Sequence, residues 1–243
     1  MKKIGLRILM ILMVVTSFSE SMLAQNKDET SITLTKKQQS IISIAGLTAN
    51  GDLQQLKPAL NAGLDAGLTI NQVKEIMVHL YAYCGFPRSI RGLQTFMEVV
   101  DEREAKGIKD EAGVEASPLN DNRSKYDRGK ANLETLIGRP LDGPQTGYAA
   151  FAPVIEIFLK EHLFADIFDR DVLTYAEREL VTVSVISAIG KAEPMLRSHL
   201  SICLNVGYTP DQLQEFVAII HSTLGKKKAK AAQTVLNEVL EAR

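Results

Sequence analysis

Residues 173–207 read LTYAERELVTVSVISAIGKAEPMLRSHLSICLNVG, and the rest of the chain is organised around them. Thr174 and Glu177 form a T-x-x-E capping box, in which each side chain satisfies an orphan N–H at a helix start. The run Leu180 to Ile189 is apolar with small residues, which predicts a helix buried nearly all round. Gly190 ends it, and Pro194 suits the first turn of the next helix. There Leu196, His199, Leu200, Cys203 and Leu204 share one face at i, i+3, i+4 and i+7 spacing. His199 therefore points where a core residue would, and Gly207 closes the helix.

The same plan occurs upstream. Gly67, Thr69, Gln72, Glu75 and Gly85 correspond to Gly207, Thr209, Gln212, Glu215 and Gly225 at an offset of 140 residues. At the first helix the offset is 139, since Leu34-Thr35 correspond to Leu173-Thr174. A slip of one residue between helices is what a loop change produces. A repeat this long means two copies of one helical unit. The first spans 34–104, 105–122 is a polar linker, and the second domain spans 123–243. Thr35 with Gln38, and Thr69 with Gln72, are further capping boxes. Tyr126 to Gly138 reads as a short helix, and Pro153 to Phe168 as an amphipathic one with Ile155, Phe158, Leu159 and Phe164 apolar. No segment alternates as a strand does, so the fold class is all-α.

Composition narrows the function classes. The 243 residues carry a net charge of −1, which gives no basic footprint for nucleic acid. Residues 1–24 have the form of a secretory signal peptide: Lys2, Lys3 and Arg7, a short apolar run from Ile8 to Val15, and Ala24 before Gln25. The apolar run is too short for a membrane span. The mature chain is expected to be exported to a periplasm without stable membrane insertion. Cys84 and Cys203 are the only cysteines, and that compartment permits a disulfide. Two buried free thiols are the simpler reading.

Several segments together resemble the carboxymuconolactone decarboxylase family, which includes the AhpD-type alkylhydroperoxidases. They are Tyr126-Asp127-Arg128-Gly129, Phe164 to Arg170, Leu173 to Val181, His199 to Gly207, and His79-Leu80-Tyr81-Ala82-Tyr83-Cys84-Gly85-Phe86-Pro87. The resemblance implies tandem AhpD-like helical repeats packed as one unit, and a homo-oligomer, a trimer of two-repeat chains. The peroxidase branch uses C-x-x-C before its histidine. Those positions here are Ala192 and Met195, and in the first repeat Asp52 and Gln55. A dithiol peroxidase needs a thiolate and a resolving thiol, so peroxidase chemistry is not expected.

Glu179, His199 and His221 are the candidate catalytic residues. Glu179 lies on an otherwise apolar helix, where a carboxylate must be paired, hydrogen-bonded or protonated. The resemblance places Glu179 at the family's active-site acid, with a structural salt bridge to an arginine as the alternative. His199 suits a general acid, or is a satisfied core residue. His221 completes a Glu–His–His cluster or edges the core. His79 and Tyr83 are candidate substrate contacts. Arg197, Arg88 or Arg91 is expected to hold a substrate carboxylate by a bidentate contact, and the sequence does not choose among them. The first repeat has Ser40 and Ala59 at the acid and histidine positions, which leaves one competent site per chain. No dedicated metal motif is present, and no cofactor is expected. The branch chemistry implied is a cofactor-free lyase or isomerase acting on a small unsaturated or lactone acid. Residual thiol chemistry or a non-catalytic binding role are the alternatives.

Overall fold

Four threonines start four helices in the same way. Thr35, Thr69, Thr174 and Thr209 each accept from the backbone N–H three residues on, and Gln38, Gln72, Glu177 and Gln212 reach back to the cap N–H. These reciprocal caps fix the first and third helices of each repeat. In the computed structural model, which describes residues 33–243, the unit Leu34–Arg243 contains ten α-helices and one π-helical segment, with no strand among the described residues. The expected signal peptide, residues 1–24, lies outside the described residues.

Helices α1 (Lys36–Asn50), α2 (Leu53–Asp65) and α3 (Ile70–Ala105) form the first repeat. Helices α4 (Lys125–Ile137), α5 (Gly147–Phe151) and α6 (Pro153–Phe158) follow, then the π segment Leu159–Ile167. Helices α7 (Tyr175–Ile189), α8 (Glu193–Asn205), α9 (Pro210–Leu224) and α10 (Lys226–Glu241) form the second repeat. Gly85 interrupts α3 at φ 80°, ψ 162°, and Gly225 separates α9 from α10 at φ 86°, ψ 167°. The same left-handed break at corresponding positions shows that the two halves are copies in backbone as well as in sequence.

The copies exchange partners. Helices α1 and α7 pack against each other, α3 packs on α7, and α9 packs on α1. Each first helix is therefore covered by the third helix of the other repeat. Helix α7 is consequently buried at eleven successive residues, Arg178 to Ala188. Its hydroxyls are satisfied within the helix: Ser184 donates to the Leu180 carbonyl at 2.6 Å and Ser187 to that of Val183 at 2.7 Å. Leu180 and Val183 are fully buried, and each contributes roughly 1.5–3 kcal/mol by leaving water.

Between the repeats, residues 111–113 strap back onto the start of α3. The backbone N–H groups of Ile70 and Asn71 donate to Glu111 and Ala112. A smaller apolar cluster joins Leu136 of α4, Ile202 of α8, and Leu163, Phe164, Ile167 and Phe168 around the π segment. The expected regular helix over 153–168 is interrupted there. Its π turns change the phase, so Phe164 is buried while Ile155 and Phe158 stay exposed. Helix α4 approaches this segment closely: a Cβ on Gly129 would lie 1.9 Å from the Lys160 carbonyl oxygen.

Candidate functional site

The first helix of the second repeat contributes Glu179 and the second contributes His199. Leu196 and Leu200 anchor α8 inward, and this spacing carries His199 onto α7. The His199 Nδ1–H donates to Glu179 Oε2 at 2.8 Å. Glu179 is fully buried, whereas the His199 side chain keeps 14% of its surface exposed. The carboxylate thus fixes the imidazole tautomer and leaves Nε2 as the outward nitrogen. Glu179 Oε1 is buried without a hydrogen-bond partner. A buried oxygen left unpaired in this way costs free energy unless a ligand or water reaches it.

The third helix of the first repeat supplies the opposite wall. The Tyr83 ring meets His199 nearly edge-on, with centroids 6.1 Å apart. Burial, and next the Glu179 carboxylate, push the Tyr83 phenol pKa up, so its hydroxyl stays protonated. The Tyr83 oxygen lies 3.2 Å from the Thr182 hydroxyl. His79 Nε2 lies 2.9 Å from that same hydroxyl. Burial, then the charges of Arg178 and His199, hold the His79 pKa well below its ordinary value. A neutral His79 whose Nε2–H faces Thr182 presents Nδ1 as an acceptor to Arg178 Nη1, 3.3 Å away.

Behind His79 lies an ion network that sequence reasoning missed. Arg178 is fully buried and its Nη2 donates to Glu75 Oε1 at 2.7 Å. Arg170 pairs with the same carboxylate at 3.0 Å. Glu75 comes from the first repeat and both arginines from the second. In the other copy the corresponding glutamate, Glu215, accepts from Gln39 Nε2 at 2.9 Å and from the Leu34 N–H at 2.6 Å. Gln39 corresponds to Arg178, so the repeat contained the signal: one copy has a neutral partner where the other has a buried cation.

The other expected residues go elsewhere. His221 is exposed on α9 and joins neither Glu179 nor His199. Ile220 is the inward residue, and the next position is rotated by about 100°. The expected Glu–His–His cluster is therefore a Glu–His pair. Arg197 is exposed and forms an ion pair with Glu238 of α10. Lys57, its counterpart in the first repeat, reaches Glu98 and Glu102 in the same way. Arg197 is thus a surface strut between helices, away from the pair. Arg91 is exposed and bonds Gln94. His79 is enclosed and supports Tyr83 and Thr182. Glu177 is the capping acid. Cys84 and Cys203 are free thiols. Among the described residues, no group of three or more His, Cys, Asp or Glu is placed to hold a metal.

A sequence model of the carboxymuconolactone decarboxylase family matches residues 21–96 and 154–238, one match in each repeat. The chain belongs to that family. The chain is also 35% identical over 126 residues to a 4-carboxymuconolactone decarboxylase from Acinetobacter baylyi, which covers 51% of this chain and 91% of the relative. A relative matched almost end to end by half of this chain fits a family unit that is present here twice. Glu179 and His199 occur in the second unit only. Ser40 and Ala59 stand at those positions in the first. No helix among the described residues is long and apolar enough to cross a membrane.

Proposed function

We propose that the chain is a cofactor-free lyase or isomerase acting on a small unsaturated or lactone carboxylic acid, with His199 as the proton donor. The contact between His199 Nδ1 and the buried Glu179 carboxylate carries this reading. In the decarboxylation case, the bond to the substrate carboxylate breaks and CO₂ leaves. The electron pair enters the conjugated lactone as a dienolate. His199 Nε2 delivers a proton to carbon and is left as the neutral Nδ1–H tautomer that Glu179 holds; water restores the proton. The unpartnered Glu179 Oε1 and the imidazole, 14% exposed, support a site that a ligand completes. The name of the Acinetobacter relative, 4-carboxymuconolactone decarboxylase, supports a lactone acid as substrate class.

Thiol chemistry is disfavoured by the same surroundings. Burial pushes the Cys84 thiol up to about 11 despite Arg88 nearby. Burial, and then the Glu179 charge, push Cys203 well above its ordinary value. Neither forms the thiolate a peroxidase needs. The exposed aromatic and aliphatic side chains of α5 and α6, Phe151, Val154 and Phe158 among them, support self-association of the chain. The test of function is CO₂ release from 4-carboxymuconolactone by the purified chain. Turnover that falls by about 10²-fold or more in Glu179→Gln supports the reading, and turnover unaffected by that change counts against it.

A further inference from the structure

A pocket apart from the Glu179–His199 pair lies where corresponding residues of the two repeats meet. Ala49 and Ala188 line it, as do Asn50 and Ile189, and Arg88 and Lys228. Each is a corresponding couple at the repeat offset. The cavity measures about 400 Å³, within the range of small-molecule sites. Neither Glu179 nor His199 lines it, and its lining contains two cations and no carboxylate. Both cations lie at the C-terminal ends of first helices, where the helix dipole favours positive charge. For Lys228 that explanation is sufficient, since Nζ donates to the Ala188 carbonyl. For Arg88 it is not. Its guanidinium lies over Gly51, where a Cβ would come within 1.5 Å of Nη1, and this exposed side chain makes no hydrogen bond or ion pair among the described residues. Gly51 thus clears a seat for a guanidinium whose donors are uncommitted.

A mainly apolar slot adjoins this pocket. A cavity of about 220 Å³, lined by Ile186, Leu196 and Ala232 and also by Lys191, Glu193 and Lys227, shares Ile189 and Lys228 with it. Arg88 and Lys228 in the first pocket and the mainly apolar surface of the slot fit a ligand with an anionic end and an apolar body. We propose that this pocket binds a monocarboxylic acid with a small apolar body, its carboxylate between Arg88 and Lys228 and its body against Ile189. Benzoate is a suitable probe for calorimetric titration of the whole chain, with benzamide as its uncharged counterpart. Saturable benzoate binding, with benzamide at least about tenfold weaker, is expected. Arg88→Gln and Lys228→Gln should each weaken benzoate by about tenfold or more, while His199→Ala leaves it unchanged. The proposal is overturned if benzoate fails to bind at roughly 10 mM, if benzamide binds equally, or if the Arg88→Gln, Lys228→Gln double variant binds as the wild type does. Inorganic phosphate binding as tightly as benzoate would overturn the apolar-body part, and loss of binding in His199→Ala would move the acid to the other site.

Discussion

Replacing Glu75 by Gln tests the link between the repeats. Glu75 is 2% exposed and holds Arg178, which is fully buried, at 2.7 Å. Burial on its own pushes the Arg178 pKa down, and Glu75 offsets that loss of solvation. Without the carboxylate the guanidinium remains buried, with Nε already unpartnered. Breaking a buried pair from one side costs about 3–5 kcal/mol. Glutamine keeps one acceptor, so the lower end, about 3 kcal/mol, is expected. In a domain of this size that corresponds to a Tm lower by roughly 6–12 °C. Urea unfolding followed by far-ultraviolet circular dichroism measures it. The double variant Glu75→Leu, Arg178→Leu leaves no uncompensated buried charge between these two positions and should recover much of the loss. A Glu75→Gln variant that loses less than about 1 kcal/mol, or a double variant no better than the single, would refute the reasoning.

Gly129→Ala should destabilise the chain by about 3 kcal/mol, because its Cβ meets backbone oxygen rather than a flexible side chain; chemical denaturation checks this. His79 gives a pH dependence. Its folded pKa lies below the unfolded value near 6.5, so between the two the unfolded chain binds more protons. Its contribution is therefore fully present above about pH 6.5 and falls by up to about 1.4 kcal/mol per unit as pH drops below it. Denaturation midpoints in His79→Gln should lose that part of the slope, and an unchanged slope would contradict the assignment. We propose that residues 1–24 are removed on export, leaving a mature chain that starts near Gln25; mass spectrometry of expressed material showing an intact Met1 would contradict it.

The helix starts were legible because each is written in four residues, Thr35 to Gln38 being one example. The repeat was legible because its glycines and caps keep their spacing. The π segment was not, since the apolar spacing of 153–168 fits an α-helix and the close approach of Gly129 to Lys160 has no signature in that spacing. The contact between Glu179 and His199 was legible because both lie on inward faces of helices whose apolar spacing is clear. Arg178 was missed because Glu177-Arg178-Glu179 reads as a charged helix start. Its partner Glu75 is brought to it only by the exchange of third helices between repeats. Arg197 and His221 were misplaced for a related reason: each sits one residue or one turn from an inward position, and spacing alone does not fix which side chain crosses the boundary.

The account rests on His199 as a proton donor oriented by Glu179, and chemical rescue of His199→Ala tests this most directly. The measurement is the turnover of the lactone acid by the variant, with and without added imidazole. The account predicts loss of about 10²–10⁴-fold in His199→Ala and partial recovery that rises with imidazole concentration, since free imidazolium replaces the missing donor. Undiminished turnover in His199→Ala would contradict it.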